Sequence, residues 1–204
     1  MKREKQVMFL LFAVTLLFFV FILFLPKISE YTSEKTGISE APDTSFFYKS
    51  DDLYDLAERY GESGRQTYIF MRWTFDVLWP MVYTAFLTAW IWKLSHYLKI
   101  KKIYYVPVIA MMFDYLENIG TTIVFQIYPD KIEIIASITP WMSMLKWTLL
   151  GGSFIILIVL FIAAPIKLVR DKLKVRTRRP LGILKKKGAW HQESENYVVN
   201  LEPQ

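Results

Sequence analysis

Four long apolar runs constrain the fold of this chain more than any other feature of its sequence. The runs cover residues 8–25, 68–92, 103–128 and 141–164. Each is close to the ~20 predominantly apolar residues that an α-helix needs to cross the hydrocarbon core of a bilayer. Backbone groups in lipid must also be hydrogen-bonded within the spanning structure, which favours helices. The sequence therefore predicts an all-α integral membrane protein, with a four-helix transmembrane bundle over residues 1–166 and a tail over 167–204.

Two of these runs have ends that need interpretation. The first ends at Leu25 and Pro26 without the small-residue cleavage site of a signal peptide, so we interpret it as an uncleaved anchor. Its one polar residue is Thr15, and we expect it to form a lipid-facing wall. The fourth begins near Ile134 and is too long for one span, so we expect Pro140 to break it and leave a short interfacial piece.

The charges of the connecting segments predict the orientation. The loop 26–67 contains five Lys/Arg and nine Asp/Glu. The loop 93–102 contains four lysines and no acid, and the tail 167–204 contains ten Lys/Arg and four Asp/Glu. Positive segments stay on the cytoplasmic side. We therefore expect both termini and the loop 93–102 in the cytoplasm, with loops 26–67 and 129–133 outside the cell membrane.

The tail divides into a basic and a polar part. Residues 167–187 are strongly basic, and each Lys/Arg beside an anionic bilayer contributes about 1 kcal/mol of attraction, so anionic lipids are expected partners. A plain topology signal is the simpler alternative. Residues 188–204 are polar and are expected to be largely disordered. Because the net charge of +6 follows from topology, no nucleic-acid partner is expected.

The outer loop also divides into two parts. Residues 29–45 are rich in small and polar side chains and are expected to form a mobile connector. Residues 46–66 carry a helical pattern, with Ser50 as a cap and an end at Gly61 or Gly64. The apolar face of that helix is formed by Leu53, Leu56, Ala57 and Tyr60. We expect a short amphipathic helix on the outer surface, which anchors the loop or acts as a lid.

The composition excludes several kinds of chemistry. The absence of cysteine excludes disulfides, thiolate nucleophiles and iron–sulfur clusters. The two histidines, His96 and His191, lack the spacing of a zinc or bis-histidine haem motif, and no glycine-rich phosphate loop is present. We therefore expect no cofactor and no bound metal.

Five charged residues interrupt the predicted spans and indicate where function resides. They are Arg72, Asp76, Asp114, Glu117 and Lys146. Each costs about 2.5 to 3.5 kcal/mol at the centre of a spanning helix, so such residues usually face the bundle interior, pair with each other or line a pathway. We expect them to meet in the outer half of the bilayer.

Helical spacing groups these charges with other polar residues. Asp114, Glu117, Asn118 and Thr121 lie on one face of the third span. Arg72, Asp76 and Tyr83 share a face of the second span, where Arg72 and Asp76 are expected to form an ion pair within the helix, and Pro80 is expected to free a carbonyl into the site. The predicted ligand-binding residues are Arg72, Asp76, Tyr83, Asp114, Glu117, Asn118, Thr121 and Lys146.

The charge balance of this site is unequal. Arg72 and Lys146 oppose three carboxylates. A net negative charge in a low dielectric is unfavourable, so either one carboxyl is protonated at neutral pH or a cation binds. Asp114 and Glu117, one turn apart, are the expected coupled pair.

Three functions are consistent with this pattern. The leading hypothesis is binding of a small polar or lipid-headgroup ligand, or of a cation or proton, with transport as one option. The first alternative is a membrane-embedded enzyme for a lipid or isoprenoid-like substrate, in which Asp114 or Glu117 is the catalytic acid or base and Asp76 orients it. The second is a non-catalytic scaffold or assembly subunit with structural ion pairs. Self-association into a homo-oligomer is left open.

Overall fold

The computed structural model describes residues 2–178, with side chains for residues 2–42 and 44–174, and its secondary structure in this range is helical. The helices are α1 (Lys2–Thr36), α2 (Ser50–Arg72), α3 (Phe75–Leu98), α4 (Val106–Ile127) and α5 (Glu133–Arg178), with 3₁₀ turns at Pro42–Thr44 and Ile103–Tyr105. The predicted all-α class is confirmed. The end of the predicted basic segment and the polar tail, residues 179–204, lie outside the described residues.

Four helical stretches are long and apolar enough to cross a membrane. They are Lys2–Thr36, Ser50–Leu98, Ile103–Ile127 and Glu133–Lys174. This agrees with the predicted four-span helical membrane protein. The orientation predicted from loop charge stays a prediction.

Two compact units divide the chain after Leu160. The described part of the second unit is the helix from Phe161 onward, on which Ile162, Ile166 and Val169 are exposed. The site residues all belong to the first unit.

Helix α1 continues well beyond the predicted first span. The chain stays helical through Pro26 to Thr36, so the expectation of a mobile connector from residue 29 is wrong for its first eight residues. The Thr32 hydroxyl donates to the Ile28 carbonyl (2.9 Å), and the Thr36 hydroxyl donates to the Thr32 carbonyl (2.8 Å). A threonine hydroxyl on a regular helix can reach the carbonyl one turn before it, so these two side chains are compatible with the helical backbone.

The second predicted span is two helices rather than one. Helix α2 ends at Arg72 and α3 begins at Phe75, so the expectation of a continuous helix over residues 68–92 is wrong. The Trp73 indole donates to the Thr122 hydroxyl (3.2 Å), which ties the break to α4. The Thr74 hydroxyl donates to the Phe70 carbonyl (2.8 Å) at the exposed end of α2.

Helix α2 contains the amphipathic segment predicted from the sequence. It begins at Ser50, but the capping residue is Lys49, whose amide donates to the Asp52 carboxylate (2.8 Å), so Ser50 is the first helical residue and not the cap. The backbone of Gly61 is not helical (φ 61°, ψ 179°), which suits glycine, so the first helical stretch of α2 ends at one of the two predicted glycines and a second stretch follows to Arg72.

The apolar face of α2 is buried within the protein. Leu53, Leu56, Ala57 and Tyr60 are 1%, 7%, 0% and 5% exposed. They belong to the same apolar cluster as Val124, Phe125 and Ala136. Helix α2 is therefore packed on α4 and the start of α5, and it brings the segment before it close to the charged residues.

Helix α5 passes through Pro140 without a break. It begins at Glu133, so the expected interruption at Pro140 and the separate interfacial piece are wrong. The Thr139 hydroxyl donates to the Ile135 carbonyl (2.7 Å) at this point. Pro140 has no amide hydrogen for the carbonyl one turn before it, that of Ala136, and the Thr139 hydroxyl bonds to the neighbouring carbonyl of Ile135.

A polar layer separates two apolar clusters in the unit that ends at Leu160. On α4, Ala110 belongs to one cluster and Phe125 to the other, and buried polar side chains lie between them. On α5 the order is reversed, because Ala136 belongs to the cluster of Phe125 and Leu150 to that of Ala110. The polar residues of this layer are Asp114, Glu117, Asn118, Thr121, Thr139, Ser143 and Lys146.

We predict that Gly120→Ala destabilises the protein by about 1–3 kcal/mol, because overpacking a close helix contact displaces neighbouring atoms. A Cβ at Gly120 would collide with the Thr139 side chain of α5. Gly151→Ala is the control, since a Cβ there meets nothing within 4 Å. Thermal unfolding of both variants in the same detergent checks this. Equal midpoints for the two variants would show that α4 and α5 do not approach closely at Gly120.

Candidate functional site

Lys146 lies between two carboxylates at the centre of the polar layer. Its Nζ is 2.5 Å from Glu117 Oε2 and 3.9 Å from Asp114 Oδ1. Glu117, Lys146 and Asp114 are 0%, 4% and 7% exposed. Asp114 and Glu117 share one face of α4 because they are three residues apart, and α5 supplies the lysine.

Two tyrosines donate hydrogen bonds to these carboxylates. The Tyr83 hydroxyl donates to Asp114 Oδ2 (2.9 Å), and the Tyr48 hydroxyl donates to Glu117 Oε1 (3.1 Å). Burial of an ionised carboxylate requires such donors, because an unsatisfied charge in a low dielectric is costly. We call Asp114, Glu117, Lys146 and the two tyrosines the lysine cluster.

Sequence reasoning placed Tyr83 in the site but missed Tyr48. Tyr48 lies just before α2 and is 7% exposed. The Ser143 hydroxyl donates to the Ser45 carbonyl (2.9 Å), which holds this segment against α5. The apolar face of α2 is the one signal for this placement, since it requires the start of the helix to pack on the bundle.

A second group of polar contacts surrounds Arg72, which is 1% exposed. Its guanidinium Nη1 is 3.1 Å from Asp76 Oδ2 and donates to Asn118 Oδ1 (2.9 Å). It also donates to the Tyr68 hydroxyl and lies over the Tyr68 ring, 4.6 Å from the centroid. We call Arg72, Asp76, Asn118 and Tyr68 the arginine cluster.

Arg72 and Asp76 form the predicted ion pair, but the two residues belong to different helices. It joins the end of α2 to the first turn of α3, so it is not a pair within one helix. The Asp76 carbonyl accepts a hydrogen bond from Asn118 Nδ2 (3.2 Å). Because Pro80 has no amide hydrogen, the Asp76 carbonyl has no helical partner at that position, as predicted. It accepts its hydrogen bond from Asn118 instead.

The two clusters are joined through α4. Glu117 and Asn118 are consecutive residues of that helix, one in each cluster. The Thr121 hydroxyl donates to the Glu117 carbonyl (3.0 Å), so its bond is to the backbone of its own helix. Five of the eight predicted site residues thus lie in the polar layer, with Thr121 bonded to its own helix backbone. The other three, Arg72, Asp76 and Tyr83, are linked to the layer through Asn118 and Asp114.

Access differs between the two clusters. Glu117 exposes no surface, whereas the Asp76 side chain is 23% exposed. Asp76 lines a cavity of about 130 Å³, and Arg72 and Asn118 line another of about 270 Å³. The layer is thus closed at the lysine cluster and open beside the arginine cluster.

The lysine cluster has an unequal charge balance. Two carboxylates oppose one ammonium, whereas Arg72 and Asp76 balance each other. Residues 2–178 contain no group of three or more His, Cys, Asp and Glu side chains arranged to hold a metal ion. Comparison with protein-family models, curated proteins and solved structures gives no match for this chain.

We predict that Lys146→Met destabilises the protein by about 3–5 kcal/mol, because removal of one partner leaves buried charge uncompensated. The matched control is Lys101→Met, in the exposed loop between α3 and α4, which is expected to leave stability unchanged. Adding Glu117→Gln to Lys146→Met removes one of the uncompensated charges and should recover part of the loss. Unfolding in detergent measures all three; a Lys146→Met variant as stable as wild type would contradict a paired, buried lysine.

Proposed function

We propose that this membrane protein binds and releases one proton at the lysine cluster. The observation that supports this most is the position of Lys146 between two buried carboxylates, Asp114 and Glu117. With both carboxylates ionised, the cluster carries one negative charge in excess in a low dielectric. One bound proton removes that excess, which is the lowest-cost way to bury three ionisable groups together.

Asp114 is the residue that holds the proton. Glu117 Oε2 is 2.5 Å from the ammonium, whereas Asp114 Oδ1 is 3.9 Å away. The nearer carboxylate gains more from ionisation because Coulomb attraction falls with distance. The tyrosine hydroxyls can reverse their hydrogen bonds, so Tyr83 can accept the carboxyl hydrogen of Asp114.

A proton suits this cluster better than a metal ion. Glu117 exposes no surface, and both carboxylates face Lys146. A metal ion would have to displace the ammonium and find further oxygen ligands, because hard cations take six or more. A proton needs neither change.

Loop charges indicate which solution the proton comes from. In the orientation predicted by the positive-inside rule, the lysine cluster lies in the outer half of the bilayer. Asp76 is the most exposed charged side chain of the two clusters, at 23%, so the arginine cluster is the route we propose between Asp114 and the outer solution. Proton exchange with the outside is the role that this arrangement supports.

We predict that infrared spectra of the protein in neutral-lipid nanodiscs contain a carbonyl band of one protonated, buried carboxyl group. The band is expected to disappear as pH is raised and to be absent in Asp114→Asn. Asp51→Asn, which removes an exposed carboxyl at the start of α2, is the matched control and should keep the band. A folded wild-type protein with no such band over the whole pH range of its stability would exclude proton binding.

A purely structural role is the second candidate, and one observation favours it. Each carboxylate of the lysine cluster has both an ammonium contact and a tyrosine donor, and none of the three charged side chains is more than 10% exposed. Such a satisfied network can lock helices together without binding anything. No corresponding observation favours the enzyme alternative, because a substrate cannot reach Glu117 in this conformation.

Exchange of the paired charges tests the structural candidate. Lys146→Glu alone should unfold the protein at a lower temperature, because it places three carboxylates together. Combining it with Glu117→Lys re-forms the pair and should recover most of the loss, since the coupling of contacting residues is non-additive. Recovered stability together with a wild-type spectrum that lacks the protonated band would assign the cluster to structure alone. If the double variant does not recover its stability, the pair is not a purely structural charge interaction.

A further inference from the structure

A cleft beside the arginine cluster has features of a ligand site of its own. It is a cavity of about 130 Å³ between the second half of α1, α2, the segment before α2 and the start of α3. Asp76 and Tyr68 belong to the arginine cluster and also line this cleft. We call it the Asp76 cleft.

The charged side chains of the Asp76 cleft are all acidic. Glu40 and Asp76 line it, and its lining includes no lysine or arginine. The arginine partners lie outside the lining: Arg59 is 2.8 Å from Glu40, and Arg72 is 3.1 Å from Asp76. Both carboxylates are thus charge-paired, but the charged atoms in the lining itself are carboxylate oxygens, which attract a cationic group and repel an anionic one.

Aromatic rings and hydroxyls complete the lining. Tyr60, Tyr68 and Phe75 contribute aromatic rings to the lining, and such rings attract cations through their quadrupole, as the position of Arg72 over the Tyr68 ring illustrates. Ser29, Thr32, Ser33 and Thr44 contribute hydroxyls, of which those of Thr32 and Thr44 donate to backbone carbonyls. A quaternary or primary ammonium suits this combination of carboxylate oxygens, aromatic rings and hydroxyls.

Apolar side chains in the lining set the second requirement. They are Leu25, Ile28 and Met71, and Leu25 lies within the apolar run of α1. An occupant that covers these side chains needs an apolar substituent, because only apolar surface gains from being buried there. A small hydrated metal cation does not meet this requirement.

We propose that the Asp76 cleft binds an organic ammonium ion that carries an apolar substituent. The ammonium lies at Asp76 among the tyrosine rings, and the apolar part lies along Leu25 and Ile28. The source of the ammonium is either the headgroup of a membrane lipid or a free organic cation. This site is separate from the proton site at Asp114, and the two can be tested independently.

The test uses benzyltrimethylammonium as the cation, with the protein in maltoside detergent, which contains no ammonium group. Calorimetric titration is expected to show saturable binding to wild type and no binding of benzenesulfonate. Asp76→Asn should weaken binding at least about tenfold, which corresponds to about 1.4 kcal/mol. Asp51→Asn is the matched control with unchanged affinity, because Asp51 does not line the cleft.

A second variant covers the case in which Asp76→Asn fails to fold, since Asp76 is paired with Arg72. Ser29→Trp fills the cleft from α1 and leaves every charge in place, so it should abolish binding while the protein stays folded. Asp114→Asn should keep the wild-type affinity for benzyltrimethylammonium. If the infrared test shows no proton at Asp114, this binding result is unaffected. Equal binding to wild type and Ser29→Trp, or equal binding of benzenesulfonate, would overturn the proposal.

Nanodiscs separate the two sources of the ammonium. If a lipid headgroup occupies the cleft, phosphatidylethanolamine in the nanodisc should compete with benzyltrimethylammonium and should remain bound to wild type, but not to Ser29→Trp, in native mass spectrometry. If the natural ligand is a free cation, phosphatidylethanolamine does not compete. Absence of both benzyltrimethylammonium binding and retained phosphatidylethanolamine in the folded wild-type protein would exclude an ammonium site.

Discussion

The contact between Lys146 and Glu117 is the interaction on which the arrangement of the bundle depends. Both side chains are almost completely buried, and their charged atoms are 2.5 Å apart. Either charge alone in this environment would be strongly destabilising, so each requires the other helix. The contact sets the register of α5 against α4, and the register then decides which residues form the layers above and below it. Gly120, which passes close to Thr139, allows the two helices to approach at that register.

The polar layer and the arginine cluster are held by ion pairs and hydrogen bonds to nearly all of their charged atoms. Among the described residues, the exceptions are Arg72 Nε and Glu117 Oε2, which make no hydrogen bond, although Glu117 Oε2 lies 2.5 Å from the Lys146 ammonium. The carboxylates of Asp114 and Glu117 each receive a tyrosine hydroxyl, and Arg72 is surrounded by Asp76, Asn118 and Tyr68. A partly satisfied network in a low dielectric would be worse than an apolar core. Burial is nearly complete at the lysine cluster, and charges interact more strongly where solvent is absent. The excess negative charge there is the reason for the proton that we propose, whereas Asp76, in the arginine cluster, lines an open cleft.

Much of this arrangement was predictable from the cost of charge in lipid. The four apolar runs and the five charges within them indicate a membrane bundle whose helices meet at a polar site, and helical spacing places Asp114, Glu117 and Asn118 on one face. Local rules were less reliable at the helix ends. Pro26 and Pro140 suggested boundaries where the helices continue, and no signal marked the break after Arg72, where the chain turns from α2 into α3. Tyr48 joined the site through the packing of α2, which depends on contacts far apart in the chain, whereas Tyr68 lies one helical turn before Arg72 and could have been found from that spacing.

The sequence by itself determined the helical class, the candidate spans and the identity of the charges that must find partners, because these depend on composition and on the 3.6-residue repeat of one helix at a time. The tertiary structure alone decided which charges pair, since pairing depends on the register between helices. It divided the predicted site into a closed lysine cluster and an arginine cluster beside the Asp76 cleft. That division followed from the packing of α2 on α4, which buried Glu117 completely and left Asp76 partly exposed, and no local pattern encodes a contact of that kind.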